Sequence, residues 1–246
     1  MRRFAKLTLT ELKLFLRDPT ALFFAVVFPP ILLGALGVIP AFREPSEDLG
    51  GQRVIDLYVP ITVVFVLAML AISVVPTYLA TYREKGILRR LSTTPVRPRS
   101  LLLAQLAMGM GMALVAVTLV LGVGVAVYGT AIPDQLLGYL VAFVLAAAAS
   151  FAVGLLIAAV APSGKAASGI GTILFFPMMF LAGLYFPREV MPETLRRIGD
   201  FTPLGAGVQA MSDASAGAWP QPLHLAVMAA FAIVASLAAA KLFRWE

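Results

Sequence analysis

The sequence predicts an all-α membrane protein. It has six transmembrane helices, an amphipathic interfacial helix at the N-terminus, a short cytoplasmic helix between spans two and three, and an extracellular re-entrant helical hairpin between spans five and six. Three observations carry this. Of 246 residues, 60% are hydrophobic and 13% charged, against about 45–50% and about 25% in soluble domains. The apolar residues form six long runs, and the basic residues cluster beside alternate runs. A soluble fold of this composition would leave far too much apolar surface in water, a difficulty that lipid removes. Residues 1–246 read as one transmembrane domain.

The runs are Ala21–Ile39, Leu57–Ala80, Leu101–Tyr128, Leu136–Ala161, Ala166–Phe186 and Leu223–Phe243. About 20 helical residues cross a hydrocarbon core of about 30 Å, so each run is long enough. The first four contain no Lys, Arg, Asp or Glu; Lys165 just precedes the fifth and Lys241 lies near the end of the sixth. Barrel strands are about 10 residues long with alternating polarity, whereas these runs are apolar on every face. The first run is not a cleaved signal, because no small-x-small site follows it. Pro29, Pro30, Pro76 and Pro177 should bend or interrupt spans one, two and five. Gly109, Gly111, Gly122 and Gly124 in span three, with Ala146–Ser150 in span four, permit close helix approach, as in the pair Gly109/Ala113.

Six spans put both termini on one side. That side carries fourteen of the nineteen basic residues against four acids, and the other side keeps five basic residues against nine acids. Positive charge is retained in the cytoplasm, so both termini are placed there, in a plasma (inner) membrane protein of the multi-pass kind. The same distribution explains the net charge of +6 as topological and argues against nucleic acid as a partner.

Outside the spans, Arg2 to Arg17 reads as a helix lying on the membrane surface. Arg2, Arg3, Lys6, Lys13 and Arg17 fall within an arc of roughly 100°, and leucines and phenylalanines occupy most of the remainder. Such a helix buries its apolar faces at the interface while its basic stripe meets anionic lipid headgroups. Arg17-Asp18-Pro19 then breaks it and starts span one.

Between spans two and three, Ile87, Leu88 and Leu91 form a small apolar face ringed by Arg83, Glu84, Lys85, Arg89 and Arg90, and Pro95 ends the helix. A face of this kind fits a groove on a cytosolic partner. It also fits a solvated loop that only sets topology. The stretch 187–222 is too long for a simple connection. Pro192 opens a short helix through Ile198, and Pro203-Leu204-Gly205 opens another, giving the hairpin that caps whatever path lies below.

The absences narrow the function. With no cysteine and only His224, disulfides, thiolate metal sites and cysteine nucleophiles are excluded, and no metal or other cofactor is expected. No ionisable residue occupies the middle of a span, which disfavours proton- or sodium-coupled transport. There is no catalytic constellation and no phosphate-binding Gly-x-x-x-x-Gly-Lys-Ser/Thr loop; Gly164-Lys165-Ala166 lacks both the leading glycine and the hydroxyl. Energy for uphill movement must come from another subunit. A non-transporting scaffold or assembly factor is the alternative.

Three landmarks resemble the permeases of type-2 ABC exporters, the class with daunorubicin-resistance and ABCG-like membrane subunits. They are the leading helix ending Phe15-Leu16-Arg17-Asp18-Pro19, the segment Arg83-Glu84-Lys85-Gly86 through Leu91 to Thr94-Pro95, and Gly183-Leu184-Tyr185-Phe186-Pro187 with Met191-Pro192 and Pro203-Leu204. The likeness runs through the chain in order. It implies a drug, lipid or similar amphipathic cargo, two cytosolic ABC ATPase subunits that hold ATP and Mg, and a second permease protomer. It also implies that Arg83, Glu84, Lys85, Gly86, Ile87, Leu88, Arg89 and Leu91 couple to the ATPase, with Arg3, Lys6, Lys13 and Arg17 on the interfacial helix. Spans two and five resemble the cargo-lining helices of that class, which makes Phe65, Met69, Phe175, Met178 and Met179 candidates for the path. Gly183, Phe186, Pro187, Pro192 and Pro203 mark the hairpin.

Overall fold

Six helices are long and apolar enough to cross a membrane in the structure, a computed structural model that describes residues 2–49, 51–92 and 98–243. They are Pro19–Val38, Val54–Glu84, Ser100–Tyr128, Leu136–Val160, Gly164–Ala182 and Pro222–Leu242, here spans one to six. Among the described residues there is no strand beyond a single bridge between Pro45 and Arg53. The leading helix is Arg2–Leu16, the short helix after span two is Ile87–Ser92, and two helices, Glu193–Asp200 and Pro203–Ser215, lie between spans five and six. Thr94 and Pro95 lie outside the described residues, and of Arg3 and Leu91 only the backbone is described.

The boundaries depart from the apolar runs where local chemistry acts. The leading helix stops at Leu16, and Asp18 caps span one by accepting from Ala21 N at 3.0 Å. Span two continues past Ala80 to Glu84, because Tyr82 and Arg83 find partners on other elements that hold the last turn in place. Span five ends at Ala182, short of Phe186, where Gly183 takes the left-handed conformation (φ 101°) and its N–H closes on Met179 and Phe180 carbonyls.

Span two is the centre of the bundle, buried continuously from Leu57 to Ala68. Span six packs mainly on span four, and Pro203–Ser215 packs against spans two, four, five and six, with Leu204, Ala206, Val208, Ala210, Met211 and Ala214 all buried. Two faces result. On the terminal face lie the leading helix, the end of span two, Ile87–Ser92 and the turn between spans four and five. On the far face lie residues 39–53, 129–135 and 183–221.

Span five stays α-helical through Pro177, but in spans one and two the predicted proline interruptions take a particular form. In span one, Phe23–Val27 is a π-helical turn that runs into Pro29-Pro30, with Phe28 N–H bonding Phe23 O five residues back. In span two, Met69–Val74 is another, ending just before Pro76, with Val75 N–H bonding Leu70 O. Proline has no N–H to offer the carbonyl four residues back, and widening the preceding turn absorbs the mismatch.

Candidate functional site

The terminal face is organised by charged side chains placed where helix ends leave backbone groups unpaired. Arg83, in the last turn of span two, donates to the carbonyls of Ala159 and Ala161, which end span four. Glu84, the next residue, accepts from Gly164 N at 3.0 Å, which starts span five. A cation therefore sits at one helix C-terminus and an anion at the following N-terminus, each where the helix dipole favours it. Ser163 completes the turn by accepting from Ala166 N at 3.2 Å.

Beyond this clasp, Gly86 (φ 66°) turns the chain into Ile87–Ser92. Leu88 is 2% exposed, Ile87 is half-buried, and Lys85, Arg89 and Arg90 are exposed. The short helix packs against spans two and three. Leu88 thus fastens it to the bundle, and the surface left outward is the charged one. The sequence offered Leu88 either to a partner's groove or to a solvated loop, and not to the bundle.

The leading helix packs on span three, and among its described side chains it buries Glu11 and Phe15. Glu11 Oε2 accepts from Tyr82 Oη at 2.8 Å and from Gln105 Nε2 at 2.6 Å. One turn up span two, Tyr78 Oη donates to Asp18 Oδ2 at 2.9 Å. Two carboxylates seven residues apart thus meet two tyrosines four residues apart. Lys6, Lys13 and Arg17 stay exposed, as an interfacial stripe requires. Sequence reasoning missed Glu11, since one acid in a basic helix reads as a solvated charge.

Between spans one, two and five lies a groove of about 720 Å³ with no charged residue in its wall. Phe24, Phe28 and Leu32 line it from span one, Phe65, Met69 and Ser73 from span two, and Ser168, Thr172, Phe175 and Phe176 from span five, with Leu184 and Tyr185 beyond. Phe28, Phe65 and Phe175 form a continuous ladder, with ring centroids 5.7 Å and 5.6 Å apart. Of the predicted path residues, Phe65, Met69 and Phe175 meet here. Met178 is half-buried and Met179 is fully buried in the core, and neither lines the groove. The contribution of span one was not foreseen, although its Phe-rich first half was visible. Phe24, Met69 and Ser73 belong to the two π-helical turns.

On the far face, Gly183 ends span five, Phe186 is exposed, and Pro187 leads into Arg188. Pro192 caps Glu193–Asp200 and Pro203 opens Pro203–Ser215. Arg188, only 4% exposed, is the centre of this cap. It donates to Leu181 O and Arg196 O, both at 3.2 Å, and pairs with Asp200. Gly199 and Gly205 make room for the guanidinium, since a Cβ on either would lie 2.8 Å from Nη1. His224, also buried, sits between Asp200 (3.5 Å) and Asp213 (3.9 Å).

A family model described as ABC-2 type transporter matches residues 2–214, most of the chain. No curated protein gives a significant match.

Proposed function

Because the chain belongs to the ABC-2 type transporter family, a permease component rather than a catalytic one, we propose that it is the membrane subunit of an exporter. Separate ABC ATPase subunits supply its energy, and its cargo is hydrophobic or amphipathic, of a drug-like or lipid-like kind. The complex holds two such ATPases and a second permease protomer, in a plasma membrane with the terminal face in the cytoplasm.

The observation that carries this reading is the Arg83–Glu84 clasp. These two residues open the segment read as coupling and hold the adjoining ends of spans four and five. A push on Ile87–Ser92 therefore reaches span five at its first turn, and span five with span two forms the groove wall. The uncharged aromatic and thioether lining suits variable apolar cargo, and the absence of ionisable groups in its wall fits a mechanism powered from outside the bundle. The π-helical turns in spans one and two supply groove residues at the points where those helices are least regular, which suits a wall that changes shape. The far-face helices close the outer end, with Pro203–Ser215 held within the membrane.

The test is reconstitution of the chain with its ATPase partner in proteoliposomes. ATP hydrolysis should rise with amphipathic compounds, and Leu88→Asp should abolish the rise while membrane insertion persists. Failure to bind any ATPase subunit, or transport driven by a pH gradient without ATP, would overturn the proposal.

A further inference from the structure

Glu11 is 4% exposed, and none of the ion pairs among the described residues includes it. Its Oε2 accepts two hydrogen bonds, from Tyr82 and Gln105. Gln105 is itself fully buried, and its Oε1 has no hydrogen-bond partner. Two anomalies therefore sit side by side: a buried carboxyl without a cation and a buried amide oxygen without a donor. Each is costly alone. One proton on Glu11 answers both, since it removes the buried charge and supplies the O–H that Gln105 Oε1 lacks.

We propose that Glu11 is a proton-controlled positioning residue that docks the leading helix onto spans two and three. The proton comes from water at the terminal face and forms a single O–H bond. Tyr82 Oη keeps donating to the carbonyl oxygen of the neutral carboxyl, and the new O–H turns to Gln105 Oε1 by rotation of the two side-chain ends. Among the described side chains, the titratable and polar groups around the site are Tyr82 and Tyr78 of span two, Gln105 of span three, and Asp18 at the foot of span one, which Tyr78 and Ala21 N already occupy. Lys6 and Lys13, on the same helix, face outward.

Burial holds the Glu11 carboxyl above the usual carboxylate range, and the Tyr82 hydrogen bond opposes this less strongly. The docked helix therefore binds the proton more tightly than the undocked one. Docking is strongest where Glu11 is protonated in both states. It weakens as pH rises from the ordinary carboxyl value through the raised one. Each unit of that rise is a tenfold change in the docking equilibrium. This docking does not rest on the exporter reading.

The chain has no cysteine, so spin labels can be placed without background at Thr10→Cys on the leading helix and Leu103→Cys on span three, both exposed. Pulsed EPR distances are measured on the full chain in nanodiscs from about pH 5 to about pH 8. The docked population should fall with rising pH. Glu11→Gln keeps the shape, carries no charge and offers Gln105 an N–H, so it should stay docked throughout. Tyr82→Phe removes the bond that favours the charged form, so it should deepen the loss at high pH. A pH-independent distance in the unsubstituted chain, a Gln variant that titrates like it, or an unchanged titration in Tyr82→Phe would each overturn the proposal. No ATPase enters these measurements: transport with an untitrated helix refutes this inference alone, and titration without transport refutes only the exporter reading.

Discussion

Gly154 of span four lies directly against the carbonyl oxygen of Ala71 in span two, with no room for a methyl group between them. The next carbonyl, Ile72 O, meets Gly171 of span five in the same way, 2.6 Å from where a Cβ would stand. These are the carbonyls that the π-helical turn disturbs. Pro76 has no N–H for Ile72 O, and Val75 N–H, which would serve Ala71 O in a regular helix, has gone to Leu70 O. Two glycines from two other spans thus press on the most irregular stretch of the central helix. Backbone-to-backbone approach of this kind is favoured in lipid by close packing and weak Cα–H···O contacts.

Gly154→Ala should therefore displace span four from span two. An overpacked core site costs about 1–3 kcal/mol, and here the obstacle is backbone, which cannot swing aside. Thermal unfolding in detergent should show a clear loss. Gly111→Ala, where a Cβ meets nothing within 4 Å, should show none. Equal stability of the two variants would mean that the glycine contact carries no packing role.

The clasp predicts a paired effect. Arg83→Ala leaves the last carbonyls of span four unpaired, and Glu84→Ala uncovers the first N–H of span five. Glu84 is exposed, so its share is small, within about 1 kcal/mol, while both variants should insert normally. Cargo-stimulated hydrolysis in the reconstituted complex should nevertheless fall in both if, as proposed, the turn they hold is the route from the short helix to span five. Stimulation at the unsubstituted level in both variants would remove the clasp from the coupling path.

The spans were legible because a run of about 20 apolar residues has few other uses, and the prolines correctly marked where spans one and two are irregular. The form of the irregularity was not legible, since a kink, a bend and a π-helical turn share one proline signal. Glycine was sought at small-xxx-small spacing in span three, where Gly109 in fact faces the Phe151 ring, whereas the close approaches to the backbone of span two fell on Gly154 and Gly171, single glycines whose meaning depends on span two. Arg188 and Glu11 were hidden for a related reason. A lone charge in a loop or on an amphipathic helix reads as solvated, and only the neighbours brought by the fold show it to be buried. Leu88 was found as apolar but assigned outward, because periodicity marks a face without saying what covers it.

The groove separates residues that the sequence had grouped. Phe65→Ala and Phe175→Ala remove rungs of the ladder that lines it, so cargo affinity should weaken several-fold, on top of the stability lost because both rings are also packed in the core. Met179→Ala lies in the core away from the groove and should cost about 2–5 kcal/mol of stability with cargo affinity intact in the protein that survives. Concentration-dependent stimulation of ATP hydrolysis, read beside thermal unfolding, checks both arms. The opposite pattern, with Met179 governing affinity, would place the path elsewhere.

The far-face cap should depend on Arg188 more than on any residue the hairpin motif contains. Its guanidinium meets the end of span five at Leu181 O, the middle of Glu193–Asp200 at Arg196 O, and the Asp200 carboxylate. Arg188→Met keeps most of the volume and removes all three contacts, leaving Asp200 beside His224 without its cation. Loss of one partner from a buried pair costs about 3–5 kcal/mol. Hydrogen exchange should accelerate in 187–202 before it does in spans two and four. Adding Asp200→Asn removes the stranded charge, so the double variant should be less destabilised than the sum of the two single ones, since residues in direct contact couple. Strict additivity, or unchanged exchange across 187–202, would show that the cap is held by the apolar packing of Pro203–Ser215 and that Arg188 is a passenger.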